Sequence, residues 1–338
     1  MPLVPLSADD PAAVAAAVDL LEAARLVDDP HERPYLPEVY GPRLRHGWDS
    51  HPGEHQLLVP DGERSPVGLL VVDLPVRDNR HLVWTEVVVH PDHRRRGLGS
   101  QLLAEALRRS RDAGRTTVWA GGPADAPGTS GFLEHHGFHH ASSDARRRQV
   151  LAEVDMVAVE RLRQEALAAA GDYELERLTA PHPEELLAEM TVVVDAINDA
   201  PMGDLSFERE VFDVDRLRAI EAARVGRGDQ QHRVVARHRG TGELAGHTVV
   251  EVHPAQPRWG AQGDTAVAAA HRGHRLGLLL KIEMLRWLAE VEPQLDEVET
   301  WNQTDNHPMI RVNEMLGYRL DRTFAMYELV LAAQPASA

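Results

Sequence analysis

The amino-acid sequence predicts a mixed α/β fold made of two homologous halves, and three observations support this prediction. The stretch at residues 86–99 returns in altered form at residues 264–277, an offset of 178 residues (264 − 86). Each copy has a short apolar run typical of a strand, a basic turn containing glycine, and a long amphipathic helix. The chain has 338 residues, of which 43% are hydrophobic, so it is long enough for two ordinary domains. A repeat of this length indicates duplication of a whole domain rather than a solenoid.

In the first half, the helical spacing of Val14, Val18 and Leu21 predicts a helix over residues 11–27. A Pro-rich and His-rich stretch follows at residues 29–60, where the sequence pattern does not identify the regular elements. The elements predicted after it are strands at 67–72 and 82–89, a helix after Gly99, a strand at 116–119, and a short helix that ends at Gly137.

The second half repeats this order after a helix predicted over residues 156–170, which we interpret as a linker. The predicted elements are a strand at 173–178, a helix at 184–198, a hairpin of 233–237 with 243–252, and strands at 298–301 and 326–330. The predicted domains are therefore residues 1–155 and 172–338, with a linker helix at 156–171.

Composition excludes several classes of chemistry and partner. The chain has no cysteine, which rules out disulfides, thiolate zinc sites and a cysteine nucleophile. Its formal charge of −17 opposes general binding to nucleic acid and is mildly favourable for a cationic substrate. The start of the chain lacks a basic segment followed by an apolar one, and no run approaches the ~20 apolar residues of a membrane span. We therefore expect a cytoplasmic protein with no membrane partner.

The duplicated turn is suited to binding a phosphate group. Glycines allow the backbone to approach an anion closely, and the helix that follows contributes unsatisfied N–H groups and the positive end of its dipole. The spacing of the glycines does not fit a dinucleotide-binding Rossmann turn. Several histidines lie four residues apart, but no glutamate accompanies them in a zinc-protease motif, so we predict no metal site. The predicted phosphate loops are Arg94, Arg95, Arg96, Gly97, Leu98 and Gly99 in the first half, and Arg272, Gly273, His274, Arg275, Leu276 and Gly277 in the second.

On these residues the chain resembles the GNAT acetyltransferase superfamily, whose signature is an Arg/Gln-x-x-Gly-x-Gly/Ala loop after the fourth strand. The resemblance covers residues 3–154 and 173–331 and is closest to tandem two-domain members. It implies two GNAT-like domains, each with a mixed, mostly antiparallel sheet flanked by helices. It also implies acetyl-CoA as the donor, with its pyrophosphate on the loop and its pantetheine arm along strand four, where that strand splays from strand five. An acceptor amine would attack the thioester directly, without an acyl-enzyme.

The resemblance also implies further cofactor contacts. These are Val87 and Val89 on strand four of the first half, Thr265, Ala266 and Val267 on the matching strand of the second half, and Asn302 and Asn306 before the last helix. The first half has Ala120 and Ala126 where the second has the two asparagines, so those amides are lost there.

The usual acid and base of the superfamily are missing. The position of its common tyrosine holds Leu133 in one half and Asn313 in the other, and Tyr318 and Tyr327 are only nearby candidates. The position of its common glutamate holds Val83 and Ala261. We expect Asp264 to act as the general base, with Glu251 in reserve. Glu86 is the residue that matches Asp264 in the first half.

The sequence thus predicts an acetyl-CoA-dependent N-acetyltransferase whose C-terminal half acetylates a small and possibly cationic amine. Two alternatives stay open: the N-terminal half is the active one, or the chain binds acetyl-CoA as a sensor without turnover. Asp199 and Asp204 either bind a cationic substrate or cap a helix. A monomer and a homodimer are both compatible with the sequence.

Overall fold

The computed structural model describes residues 1–47, 51–63 and 65–332, and these form two compact units. The N-terminal unit comprises the described residues of Met1–Ser142, Asp204–Glu208 and 324–332. The C-terminal unit comprises Ser143–Gly203 and Arg209–Thr323. The mixed α/β fold predicted from the sequence is confirmed.

The described strands and helices have the following bounds in chain order. The strands are β1 Leu3–Pro5, β2 Glu54–Leu58, β3 Gly68–Asp73, β4 Leu82–Val89, β5 Thr117–Pro123, β6 His139–Val150, β7 Tyr173–Thr179, β8 Gln230–His238, β9 Leu244–Val252, β10 Trp259–Val267, β11 Glu297–Gln303 and β12 Arg319–Val330. The helices are α1 Pro11–Asp28, α2 Pro37–His46, α3 Leu98–Asp112, α4 Pro127–His135, α5 Met156–Ala169, α6 Glu184–Asp195, α7 Val214–Arg227, α8 Leu276–Val291 and α9 His307–Met315.

The N-terminal unit has a mixed sheet with strand order β1-β2-β3-β4-β5-β12. Its neighbours are antiparallel except β4 and β5, which are parallel from Leu82↔Thr117 to Trp84↔Trp119. One apolar cluster joins the sheet to α3 through Leu102 and Leu103, and a second joins the other face to α1 and α2. Helix α1 begins where Asp10 accepts hydrogen bonds from the first free N–H groups, which agrees with the predicted start.

The C-terminal unit repeats this arrangement with strand order β6-β11-β10-β9-β8-β7. Again the neighbours are antiparallel except for one parallel pair, β10 with β11, from Trp259↔Glu297 to Gln262↔Thr300. Helix α8 covers one face of this sheet, and α6 and α7 cover the other. The predicted hairpin corresponds to β8 and β9.

The last strand of each sheet comes from the other half of the sequence. Residues 324–330 of β12 pair with β5, and residues 144–150 of β6 pair with β11. Helix α5 packs on α8 within the C-terminal unit through Val159 and Ala166. The predicted boundaries at residues 155 and 172 follow the sequence repeat, whereas the compact units follow strand pairing.

Some elements had no sequence signal. Helix α2 and strand β2 lie in the Pro-rich and His-rich stretch, and β6 has three consecutive arginines where a strand normally has apolar residues. Arg146 in β6 is only 1% exposed, and its Nε is 2.5 Å from Asp321 Oδ2. An ion pair therefore satisfies this buried arginine, which a hydrophobic pattern does not reveal. Among the described residues, no helix is long and apolar enough to cross a membrane.

Candidate active site

The two predicted phosphate loops share one backbone conformation. In the C-terminal unit Gly273 and Arg275 have φ of 88° and 57°, and α8 begins at the next residue, Leu276. In the N-terminal unit Arg95 and Gly97 have φ of 61° and 80°, and α3 begins at Leu98. In both loops a residue with positive φ is followed by one with negative φ and then by a second with positive φ. This alternation turns successive N–H groups toward one side at a helix N-terminus. Both loops are therefore suited to holding a phosphate, although the Arg and Gly positions are exchanged.

The space beside the loops is open at most of their glycines. A Cβ atom added at Gly97, Gly273 or Gly277 would have no heavy atom of the loop surroundings within 4 Å. At Gly99 it would lie 3.3 Å from the Phe132 ring. Gly99 thus allows α3 to pack closely on α4, whereas the other three leave room for a ligand. This observation fits a bulky diphosphate on either loop.

The first arginine of each loop binds its own unit. Arg272 donates from Nε to Val267 O at 3.0 Å, and its Nη2 is 2.5 Å from Asp199 Oδ2. Arg94 makes the matching bond to Val89 O at 3.1 Å. It also forms two bonds of 2.7 and 2.6 Å to Asp28. These side chains fasten each loop to the end of the strand before it and to a carboxylate elsewhere in the same unit.

Two other residues from the sequence analysis are ion-paired here. Arg275 Nη1 lies 3.0 Å from Glu165 on α5. Asp199 contacts Arg272 and also Arg209, and the hydrogen bond from Arg272 lowers the pKa of its carboxyl. Asp199 therefore anchors the loop, and Asp204 belongs to the N-terminal unit.

Strand four of each unit leaves its parallel neighbour before the loop. The β10 pairing with β11 ends at Gln262, so Thr265, Ala266 and Val267 pair only with β9. The β4 pairing with β5 ends at Trp84, so Val87 and Val89 pair only with β3. The free edge of either strand offers backbone N–H and C=O groups to an extended, amide-containing chain such as pantetheine.

The two units differ at this split. In the C-terminal unit the β9–β10 register shifts between Gln262 and Thr265, which marks a β-bulge next to Asp264. In the N-terminal unit the β3–β4 register runs without a shift from Gly68↔Val89 to Asp73↔Trp84. A bulge redirects side chains and terminates pairing, and bulges are common beside active sites.

Asp264 lies at the bulge, half-buried and close to a buried arginine. Burial and the nearby Arg224 lower the pKa of Arg233 to about 10, while the charges of Asp264, Glu221 and Glu251 oppose this shift. Arg233 Nη1 is 2.6 Å from His247 Nδ1. The predicted base thus lies in a polar cluster within the C-terminal unit.

The reserve base, Glu251, is engaged more tightly. Its Oε1 is 2.6 Å from Arg224 Nε and 3.3 Å from Gln231 Nε2, and its Oε2 is 3.8 Å from Arg227 Nη2. Two arginines of α7 therefore hold the Glu251 carboxylate in place.

The predicted asparagines and tyrosines have structural partners. Asn306 caps α9 by accepting from Met309 N at 3.3 Å, and Asn302 Oδ1 accepts from Asn313 Nδ2 at 2.7 Å. Tyr318 is buried beneath Lys281. Tyr327 lies in the core of the N-terminal unit.

The N-terminal unit gathers a polar cluster that sequence spacing did not reveal. His55, Val71 and Glu86 pair in one row across β2, β3 and β4, and Tyr40 Oη is 3.1 Å from His55 Nδ1. Although Glu86 is exposed, desolvation by the surrounding protein raises the pKa of its carboxyl. Its charge also contributes to raising the pKa of Tyr35 and Tyr40. Burial lowers the pKa of His55 to about 4.

Comparison with known proteins identifies the family. Residues 18–138 and 194–318 match the acetyltransferase (GNAT) family. The chain belongs to the GNAT acetyltransferase family. The two matched ranges contain both phosphate loops and both split strands, and an acetyltransferase activity follows from this membership. The part of the chain that the structure describes holds no group of three or more His, Asp or Glu side chains arranged to bind a metal.

Several relatives of this GNAT chain span most of its length. A mycothiol acetyltransferase of Saccharomonospora viridis is 31% identical over 254 residues, which is 72% of each chain. One of a Parafrankia species is 28% identical over 93% of this chain and 94% of the relative. Among solved structures, a tandem GNAT protein from the clavulanic acid biosynthesis pathway is 30% identical over 99% of both chains, with a TM-score of 0.81. The expected tandem GNAT architecture is confirmed.

Proposed function

We propose that this chain is an acetyl-CoA-dependent N-acetyltransferase that transfers the acetyl group directly to a small amine in its C-terminal unit. The observation that carries this proposal is the double break at Gln262. There β10 leaves β11 and shifts register against β9. The loop with positive φ at Gly273 and Arg275 follows this strand in the chain. The N-terminal unit has the loop and the split strand but lacks the bulge.

Acetyl-CoA would supply an activated thioester. The loop N–H groups before α8 would bind its diphosphate, and the free edge of β10 at residues 265–267 would hold its pantetheine arm. Gly277 leaves the start of α8 uncovered, which supports this arrangement. Arg272, held by Asp199 and Val267 O, would keep the loop in shape for the phosphates.

An ammonium acceptor must lose a proton before it can attack a thioester. Asp264 would accept that proton, directly or through water, because it lies at the bulge where β10 separates from β11. The charge of Asp264 partly offsets the lowering of the Arg233 pKa by burial, so the two groups lie close together. The chain lacks cysteine, so a cysteinyl acyl-enzyme is excluded and direct transfer is the simpler route.

A second candidate places the chemistry in the N-terminal unit, and Glu86 favours it. No ion pair or hydrogen bond involves the Glu86 side chain within the described ranges, and desolvation raises the pKa of its carboxyl, which makes it a stronger proton acceptor than an ordinary glutamate. Tyr35 and Tyr40 lie close enough to Glu86 for its charge to contribute to raising their pKa, and Tyr40 contacts the neutral His55. The aromatic rings and the carboxylate together would accept an organic ammonium group.

Release of CoA thiol from acetyl-CoA in the presence of single amines tests the proposal. The panel contains amino sugars, polyamines, amino-acid amides and, because the relatives are named mycothiol acetyltransferase, an amine precursor of mycothiol. We expect amine-dependent release and a mass-verified N-acetyl product, which Asp264→Asn abolishes and Glu86→Gln retains. Loss in Glu86→Gln alone would transfer the activity to the N-terminal unit. Tight acetyl-CoA binding with no release for any amine would support a sensor instead.

A further inference from the structure

Lys281 on α8 is a charged residue in the hydrophobic core of the C-terminal unit. It is 3% exposed, its Nζ donates to Gln262 Oε1 at 3.1 Å, and it lies 4.7 Å from the centre of the Tyr318 ring. Lysine is rarely buried without a carboxylate partner, because the ammonium loses its hydration. A buried lysine whose hydrogen bond is to a neutral amide therefore calls for a local explanation.

The amide of Gln262 links Lys281 to the bulge. Because Oε1 accepts from Lys281, the amide nitrogen must face the strands. There Nε2 is 2.5 Å from Val249 O, 3.1 Å from Thr248 Oγ1 and 3.1 Å from Gly263 O. Thr248 Oγ1 is in turn 2.7 Å from Thr265 Oγ1. The lysine thus fixes which end of the amide binds the bulged backbone.

The other half of the same chain provides an internal comparison. At the 178-residue offset, Leu103 takes the place of Lys281 and Trp84 takes the place of Gln262. Leu103 is 1% exposed, and its sheet pairs through this region without a register shift. The buried lysine, the glutamine and the bulge therefore occur together in one unit and are absent together from the described part of the other.

We propose that Lys281 is a positioning residue for the acyl-CoA site of the C-terminal unit. Through Gln262 it holds the segment Gly263–Asp264 in the bulged conformation that exposes the edge of β10 and orients Asp264. This inference rests on the proposed function for its link to acyl-CoA, whereas the control of the bulge by Lys281 is independent of any ligand.

Burial lowers the pKa of Lys281 to about 7, so its charge changes near neutral pH. Lys281 borders a small cavity that is lined also by Gln149, Val250, Gln262, Met284, Leu285, Leu288, Val298, Leu316 and Tyr318, and among these described neighbours only Tyr318 has a titratable side chain. Burial raises the pKa of Tyr318, so it stays neutral. Glu299 follows Val298 on β11 and faces the other side of the sheet. The protonated lysine makes the stronger bond to Gln262.

The test compares the full-length protein with Lys281→Met and Gln262→Met. Without ligand, we expect both variants to exchange the backbone amides of residues 263–267 at least about tenfold faster, because the bulge loses its support. With acetyl-CoA alone as the probe, we expect calorimetry to give about a tenfold larger dissociation constant for both variants, since a small displacement of the bulged backbone near the site is costly. The wild-type affinity should vary with pH around 7, and this dependence should vanish in Lys281→Met.

If Lys281 only stabilised the fold, Lys281→Met would fail to fold. Under our proposal the thermal midpoint of Lys281→Met should be unchanged or higher, because the substitution removes a buried charge. Unchanged amide exchange in both variants would overturn the inference, and so would a Lys281→Met protein that fails to fold. If the wild type does not bind acetyl-CoA, the proposed function fails, but faster exchange in both variants would still support control of the bulge by Lys281.

Discussion

Gly97 and Arg275 occupy the same position in the two phosphate loops and share a left-handed backbone, with φ of 80° and 57°. Glycine adopts this conformation freely, whereas an L residue with a side chain incurs about 1–2 kcal/mol. Glu165 pairs with Arg275 and helps to hold it there. The C-terminal unit keeps the loop geometry although the conformation of Arg275 is unfavourable. This supports a role of the loop in binding rather than in packing alone.

Exchanging the residue at this position should be tolerated in the N-terminal loop. We expect Gly97→Arg to lower the free energy of unfolding by about 1–2 kcal/mol, because it introduces the strain that Arg275 already carries. The Cβ itself meets no neighbour there. Urea unfolding measures the change. Gly273→Ala at φ 88° is a matched control of similar cost, and a loss above about 4 kcal/mol for Gly97→Arg would contradict the shared geometry.

Replacing the proposed base should reduce turnover without removing the fold. We expect Asp264→Asn to lower kcat roughly a hundred- to ten-thousand-fold, because the isosteric amide cannot accept the proton. Acetyl-CoA affinity should change little, since the loop and strand edge are intact. Thiol release and calorimetry measure the two effects. As a control, Glu251→Gln should reduce stability by breaking the Arg224 ion pair. A normal rate in Asp264→Asn would exclude Asp264 as the base.

Strand β12 comes late in the chain but pairs in the sheet of the N-terminal unit. A substitution in β12 should therefore affect the N-terminal unit. Tyr327 on β12 is 4% exposed in the core of the N-terminal unit. We expect Tyr327→Ala to destabilise that unit by about 3 kcal/mol through lost burial. Amide exchange should therefore accelerate in β5, residues 117–123, and stay unchanged in residues 259–262 of β10. Acceleration in β10 with a protected β5 would contradict the strand assignment.

A buried pair in the C-terminal unit predicts a pH effect on stability. Desolvation opposes ionisation of Glu221, but the hydrogen bond and charge of His182 outweigh it and lower the pKa of the carboxyl below 4.5. A depressed pKa stabilises the fold above 4.5, and this contribution disappears as the pH falls through the folded-state value. Glu221→Gln should thus cost about 1–3 kcal/mol at pH 7 in urea unfolding and less in acid.

Its control is Glu184→Gln, which removes an exposed pair with Arg218 and should cost little at any pH. A Glu221→Gln deficit that stays constant from neutral pH down to strongly acidic pH would show that ionisation of Glu221 does not stabilise the fold.

The sequence predicted the repeat, the two loops and the mixed sheet because each depends on a local pattern of apolar residues and glycines. It did not predict β6, since buried arginines such as Arg146 are stabilised by ion pairs with distant residues. The sequence also did not predict that β6 and β12 each pair in the sheet of the other half, because strand order is decided by tertiary pairing.

At the candidate site, the sequence located the strand edges and Asp264 but not their surroundings. The bulge depends on Gln262 and on Lys281, nineteen residues apart and on different elements. The cluster of Tyr40, His55 and Glu86 comes from α2, β2 and β4, and the ion pairs of Glu251 come mainly from α7. No linear spacing carries these contacts. Which unit performs the transfer, and through which of the predicted residues, stays a prediction.

The most direct test of the account is calorimetric titration of acetyl-CoA into the wild type, Gly277→Glu and Gly277→Gln. A Cβ atom at Gly277 meets no heavy atom within 4 Å, and glutamate and glutamine have nearly the same size and shape, so the pair of variants compares charge. We expect Gly277→Gln to bind within a few-fold of the wild type, and Gly277→Glu to lose the C-terminal site through repulsion of the phosphates. Wild-type affinity and stoichiometry in Gly277→Glu would contradict the proposal that the C-terminal loop holds acetyl-CoA.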